Sequence, residues 1–116
     1  MTDRIHLSGL VVCQDNAATI GPVIDSLVSF CDEIVVVDGD SADNTAAIAE
    51  QRAKVRLFDR PFDSHSNQKN FGCDQARGAW ILILDSDGLA LGTYELTIPL
   101  GNRETVVLAI EVGEEV

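Results

Sequence analysis

The sequence predicts an α/β protein: an open, mostly parallel sheet with helices on both faces, followed by a C-terminal β-hairpin. Three observations carry this expectation. Runs of branched apolar residues alternate with stretches of helical periodicity, as in successive βαβ units. Two of the runs, "DEIVVVD" (32–38) and "AWILILD" (79–85), are almost continuously apolar, which marks strands buried on both faces. The last stretch, 93–112, alternates apolar and polar residues with period two.

The elements follow in order. "IHLSGLVVC" (5–13) reads as the first strand. In "DNAATIGPVIDSLVSF" (15–30) a loop leads into a helix, where Ile20, Val23, Ile24, Leu27 and Val28 share one face. The second strand is 32–38. "SADNTAAIAEQRA" (41–53) offers Ser41 or Asp43 as a cap, then good helix formers. "KVRLF" (54–58) is a short strand, and "DRPFDSHS" (59–66) a loop. "NQKNFGCDQARG" (67–78) predicts a helix stopped by Gly78, and 79–85 the next buried strand. In "TYELTIPLGNRETVVLAIEV" (93–112) a three-residue turn at 101–103 pairs Ile98 with Val106 and puts both apolar faces on one side. A two-residue turn mismatches them. The whole fits one domain, an α/β region at 1–87 with an atypical tail at 88–116.

Composition narrows the function. The chain has 116 residues, 46% of them hydrophobic, enough for a packed core. Eight Lys and Arg against 19 Asp and Glu give a net charge of −11, which argues against nucleic acid as a partner. An anionic small molecule would be repelled as well, unless a cation bridged the two. No apolar run nears the roughly 20 residues of a transmembrane span. The opening "MTDRIHLSGLVV" has no pattern of a secretory signal. The three cysteines, Cys13, Cys31 and Cys73, make neither a disulfide framework nor a zinc site. Reduced thiols in a cytoplasmic protein are expected.

In a parallel sheet ligands bind at the carboxyl ends of the strands. Cys13, Gln14, Asp15 and Asn16 follow the first strand; Asp38, Gly39, Asp40, Ser41 and Asp43 close and follow the second; Asp85, Ser86 and Asp87 close the fourth. Asp85 and Asp87, two residues apart, would repel each other unless a divalent cation lay between them. Hard oxygen ligands suit Mg2+ or Mn2+, which also bind phosphate. The pair reads either as a clamp for a metal-diphosphate or as a solvated loop. Ser41 and Asp43 read equally as turn and cap residues. Asp38 stands where a carboxylate would accept hydrogen bonds from a base or ribose. Lys69 and Arg77, eight residues apart near one helical face, either balance charge within the fold or contact a diphosphate. His6 and His65 read as ordinary strand and loop residues. No Ser or Cys nucleophile sits in a triad-like setting, and no Gly-rich phosphate loop appears.

"CQDNAATI", "EIVVVDGDSADNT" and "NQKNFGCDQARGAWILILDSD", in that order and spacing, resemble the family 2 glycosyltransferases, most of all the branch that adds sugars to lipopolysaccharide cores. The resemblance covers residues 5–87. It implies the nucleotide-sugar-binding, Rossmann-like half of the fold called GT-A. Asp38 would hold the base of the nucleotide, with Cys13, Gln14, Asp15 and Asn16 bordering the pocket and Asp40 and Ser86 beside it. Asp85 would sit near the ribose and share in the metal site, Asp87 would bind the metal, and Lys69 and Arg77 would support the site. The reaction implied is inverting transfer of a sugar from a nucleotide diphosphate to a hydroxyl of a glycan or lipid-linked acceptor, with Mg2+ or Mn2+. The chain departs from the family's pattern at Asp15-Asn16, where the family often has Asn-Glu, and at Gly88, where it has an acidic residue. Members also continue well beyond the Asp-x-Asp into a half that carries the acceptor contacts and the catalytic base. Residues 88–116 show nothing of that half, and Glu95, Glu104 and Glu111 read as polar residues of the hairpin. Two other expectations therefore stand beside an active transferase. One is a truncated, donor-binding module without transfer. The other is an interaction domain that dimerises through the hairpin.

Overall fold

The computed structural model describes residues 7–29, 31–85 and 106–109. The elements run β1 (Leu7–Cys13), α1 (Ile20–Val28), β2 (Glu33–Asp38), α2 (Thr45–Glu50), β3 (Val55–Asp59), α3 (His65–Gln75), β4 (Trp80–Asp85) and β5 (Val106–Ala109). The strands form one sheet in the order β3-β2-β1-β4-β5, and every pairing is parallel. The open α/β architecture expected from the sequence is thus what the chain adopts.

Alternation along each strand divides the core into two layers. Val11, Cys13, Ile34, Val36, Leu82 and Leu84 face α1 and α2, where Ile20, Val23, Ile24, Leu27 and Ala49 meet them. Leu10, Val35, Val37, Ile81 and Ile83 point the other way, onto Cys73 of α3 and the adjoining Ala76. Every residue of β2 is buried, as its unbroken apolar run requires. A fully buried side chain such as Leu10, Ile24 or Ile34 contributes about 1.5–3 kcal/mol by leaving water. Pro22 is harmless in α1 because it lies in the first turn, where its missing N–H has no intrahelical acceptor. Gly72 lets α3 approach the sheet, since a Cβ there would fall 2.2 Å from Leu10 Cδ1.

Helix boundaries shift from the expected ones for local reasons. α3 starts at His65 rather than 67 because the Ser64 hydroxyl oxygen accepts the Asn67 N–H at 3.1 Å and caps it. It ends at Gln75, before Gly78, as Ala76 turns extended (ψ 142°). The next N–H groups leave the helix for the sheet: Arg77 donates to Glu33 Oε2 (2.7 Å) and Gly78 to Ser8 Oγ (2.9 Å). α2 is shorter than 41–53 because residues 38–44 form a turn of their own, described below. Lys54 closes its far end in a left-handed conformation (φ 68°) and donates Nζ to the Val28 and Cys31 carbonyls.

At the C-terminal end, β5 pairs with β4 from Trp80↔Val106 to Ile83↔Ala109. The other arm expected for the hairpin, 93–100, and its turn at 101–103 lie outside the described residues.

Candidate functional site

Because the sheet is parallel, its strands deliver their carboxyl ends to one edge. Cys13 lies in register with Asp38, Asp38 with Asp59, and Val12 with Asp85. The chain runs outward from β1 through β2 to β3, then returns to place β4 on the other side of β1. The strand order reverses between β1 and β4 while the strands stay parallel, and in open α/β sheets a crevice forms outside the strand ends at such a switch point. Gln14 and Asp15 follow β1 on one side of it, and β4 ends at Asp85 on the other. The backbones of Asp38 and Asp85 are separated by one intervening strand, about 10 Å across the sheet. Ser86 and Asp87 lie outside the described residues.

The loops after β1 and β2 are stitched into one surface. Gly39 N–H donates to the Cys13 carbonyl at 2.8 Å, and Gln14 Nε2 to the Gly39 carbonyl at 3.1 Å. Asp15 N–H donates to Ser41 Oγ (2.9 Å), while Asp15 Oδ1 accepts the Ala42 N–H (2.7 Å). Asn16 N–H donates to Thr45 Oγ1 (2.8 Å), and Ala17 N–H to Asp43 Oδ2 (3.3 Å). Asp15 and Asp40 both take left-handed backbone (φ 55° and 62°), which aspartate tolerates better than most residues. Gly39 eases close packing at the junction. A Cβ there would meet Phe62 Cβ at 3.0 Å, the Cys13 carbonyl oxygen at 3.4 Å and Gln68 Nε2 at 3.4 Å.

Asp38 organises this surface from beneath. It is buried, and both its oxygens are engaged: Oδ1 accepts from the Ser41 hydroxyl (2.5 Å) and Oδ2 from the Ser41 N–H (3.0 Å). The Cys13 thiol also points at Oδ1, 3.5 Å away. Burial first, and then the Asp38 charge, push the Cys13 thiol far above its ordinary range, so it stays protonated. Asp43 accepts from both the hydroxyl and the N–H of Thr45, and these bonds hold its carboxyl below the usual value. Ser41 and Asp43 therefore do serve the turn, as one reading of the sequence had it. Gln14, Asp15 and Asp40 remain exposed to solvent at the edge.

A third loop joins the same edge, and the sequence reading gives it no role. Arg60 N–H donates to the Asp38 carbonyl at 2.9 Å. The Arg60 guanidinium reaches Asp63 Oδ1 (3.0 Å) and the buried Gln68 Oε1 (2.6 Å), and Gln68 Nε2 returns to the Arg60 carbonyl (2.9 Å). The available signal was Phe62, an aromatic residue directly after Pro61 in a polar loop that follows a strand.

The two cations singled out in the sequence part company. Lys69 is buried on the inner side of α3, little more than one turn from the helix start. Arg77 is exposed at the opposite end of the sheet, its N–H bound to Glu33 at the amino end of β2. Five residues of extended strand, about 16 Å, separate Glu33 from Asp38. Arg77 is thus corrected from a support of the site to a residue of the opposite edge, because the chain leaves α3 before reaching it.

The donor set for a metal divides the carboxylates. Asp38 and Asp43 spend their oxygens on hydrogen bonds within the turn, and among the described residues no group of three or more His, Cys, Asp or Glu side chains is gathered as for a metal ion. β4 ends at Asp85, and in the sequence a second carboxylate, Asp87, stands two residues on; hard oxygens of this kind are the donors that Mg2+ and Mn2+ prefer.

Sequence similarity to known proteins points to one family. The sequence model described as Glycosyl transferase family 2 matches residues 8–94. An uncharacterized glycosyltransferase of Rickettsia felis is 35% identical over 81 residues, 70% of this chain and 28% of the relative. The lipopolysaccharide core biosynthesis glycosyltransferase LpsC of Rhizobium meliloti is 32% identical over 91 residues, 75% of this chain and 33% of the relative. The succinoglycan biosynthesis protein ExoO of Rhizobium meliloti is 38% identical over 85 residues, 67% of this chain and 24% of the relative. The chain spans about a third or less of the length of these relatives.

Proposed function

Because this chain belongs to glycosyl transferase family 2, we propose that its carboxyl edge is the donor-binding surface of a sugar transferase, taking a nucleotide-diphosphate sugar. The observation that carries the proposal is the seam between the β1–α1 and β2–α2 loops, which fixes a polar rim beside the point where the strand order reverses. Gln14, Asp15 and Asp40 stand exposed on that rim, where their oxygens and the Gln14 amide can bond base and ribose. Asp38 acts by positioning: it holds Ser41, and Ser41 holds Asp15.

Asp85 and Asp87 would hold a divalent cation, Mg2+ or Mn2+, which when bound supplies the positive charge that a leaving diphosphate requires. Without it the net charge of −11 opposes an anionic donor. In the transfer, an acceptor hydroxyl oxygen bonds to the anomeric carbon as the bond from that carbon to the diphosphate breaks. A base removes the hydroxyl proton. A single displacement inverts the anomeric centre. LpsC, by its name, acts in lipopolysaccharide core biosynthesis, so a glycan or lipid-linked acceptor of that kind is the reading we carry over.

Calorimetric titration of the full chain with UDP, GDP and dTDP, each with and without Mn2+, tests the proposal. Metal-dependent binding of at least one nucleotide is expected. No binding of any of them, with or without metal, overturns it.

A further inference from the structure

Resting on the donor-site reading, we propose that Phe62 is the platform on which the donor's nucleobase stacks. Among the described residues only two large apolar side chains stand exposed, Phe62 at 36% and Trp80 at 46%. Trp80 opens β4 at the amino edge, away from the rim. Phe62 sits at the rim, packed against Gly39, the residue that follows Asp38.

The loop that carries Phe62 is fixed at both ends. Before it, Arg60 N–H is bound to the Asp38 carbonyl, and the Arg60 side chain to Asp63 and Gln68. After it, Asp63 Oδ1 accepts the Ser64 N–H (2.7 Å), Asp63 Oδ2 accepts from Asn67 Nδ2 (3.0 Å), and Ser64 caps α3. His65 meets the Phe62 ring edge-to-face, centroids 5.0 Å apart at 74°. A ring carried on a fixed loop yet still 36% exposed forgoes part of its own burial energy. A rigid aromatic surface beside a polar rim suits a flat ligand that offers both a π face and hydrogen-bonding edges. The nucleobase is the part of the donor with that chemistry, and stacking of a base on an aromatic side chain tolerates any base.

The test is calorimetry on the full chain with Mn2+, using UDP, GDP and, as a probe without a base, pyrophosphate. Phe62→Ala is expected to weaken nucleotide binding by about 5- to 100-fold and to leave pyrophosphate binding unchanged. Phe62→Tyr, which keeps the ring, should retain affinity, and Phe62→Leu, which keeps bulk without a π face, should lose it as alanine does. Nucleotide affinity unchanged in Phe62→Ala overturns the proposal, as does an equal loss for pyrophosphate. A wild-type chain that binds no nucleotide at all instead overturns the donor-site reading on which this rests.

Discussion

Ser41 donates its hydroxyl to Asp38 at 2.5 Å while the same oxygen accepts the Asp15 N–H at 2.9 Å, so one small side chain joins the end of β2 to the loop after β1. Asp38 is buried beneath it, and Asp15 is exposed above. The hydroxyl is thus the link between a carboxylate inside the fold and the surface assigned to the donor.

Ser41→Ala removes that link. It leaves Asp38 with the Ser41 N–H and the weak Cys13 thiol as donors, and the Asp15 N–H without an acceptor. A loss of about 1–3 kcal/mol is expected, lowering the melting temperature by about 5–15 °C. Thermal unfolding followed by circular dichroism measures it. An unchanged melting temperature would show that the seam contributes nothing to stability.

At the other end of the sheet, Glu33 is expected to contribute to acid sensitivity. Burial alone would raise its pKa. Hydrogen bonds from the Ser8 hydroxyl (2.6 Å), the Arg77 N–H and Arg56 (2.9 Å) outweigh burial and bring it below 4.5. A carboxyl lowered on folding stabilises fully above its unfolded pKa, and that stabilisation fades as pH falls through the folded value. Glu33→Gln should cost about 1–2 kcal/mol at pH 7, and the gap to wild type should close as the pH is brought below 4.5. A constant gap from pH 7 to pH 3 in urea titrations would remove Glu33 from this role.

The cysteines should be inert in the folded chain. None of the three is in a disulfide and all are buried, and burial, the largest cause in each case, pushes Cys31 and Cys73 up to about 11 and Cys13 higher still. Thiolate is the reactive form. Ellman's reagent at pH 8 should find almost no thiol in native protein and all three in guanidinium. Rapid reaction of one thiol before unfolding would contradict the buried placement.

Asp87→Ala should abolish the Mn2+-dependent part of nucleotide affinity and leave the melting temperature as in wild type. Calorimetry with and without Mn2+ reads the first, and scanning calorimetry the second. Metal-dependent affinity undiminished in the variant would take Asp87 out of the site.

What the residue pattern discloses, and what it conceals, follows from the range of the interactions. β2 and β4 are legible because an unbroken apolar run has few other resting places than the inside of a parallel sheet. The carboxyl edge is legible because parallel strands must end together. Arg77 is misplaced by periodicity: a helix continued to Gly78 puts it on the face of Lys69, but the chain leaves the helix at Ala76 to satisfy Glu33 and Ser8, partners 44 and 70 residues away. The part Asp38 plays is hidden for a similar reason. Its neighbours Ser41 and Asp43 are plain turn residues in one dimension, and only the docking of a second loop, through Asp15 and Asn16, turns them into a seam. Phe62 escapes notice because an aromatic residue in a loop has no period to announce it.

The most direct test is an amide proton–nitrogen correlation spectrum of the labelled chain, titrated with the tightest-binding nucleoside diphosphate in the presence of Mg2+. The shifts should concentrate at residues 13–16 and 39–42, with Ser8, Glu33, Arg77 and Gly78 unmoved. Shifts centred on those four residues at the amino edge, or none at saturating nucleotide, would contradict the assignment of the donor to the carboxyl edge.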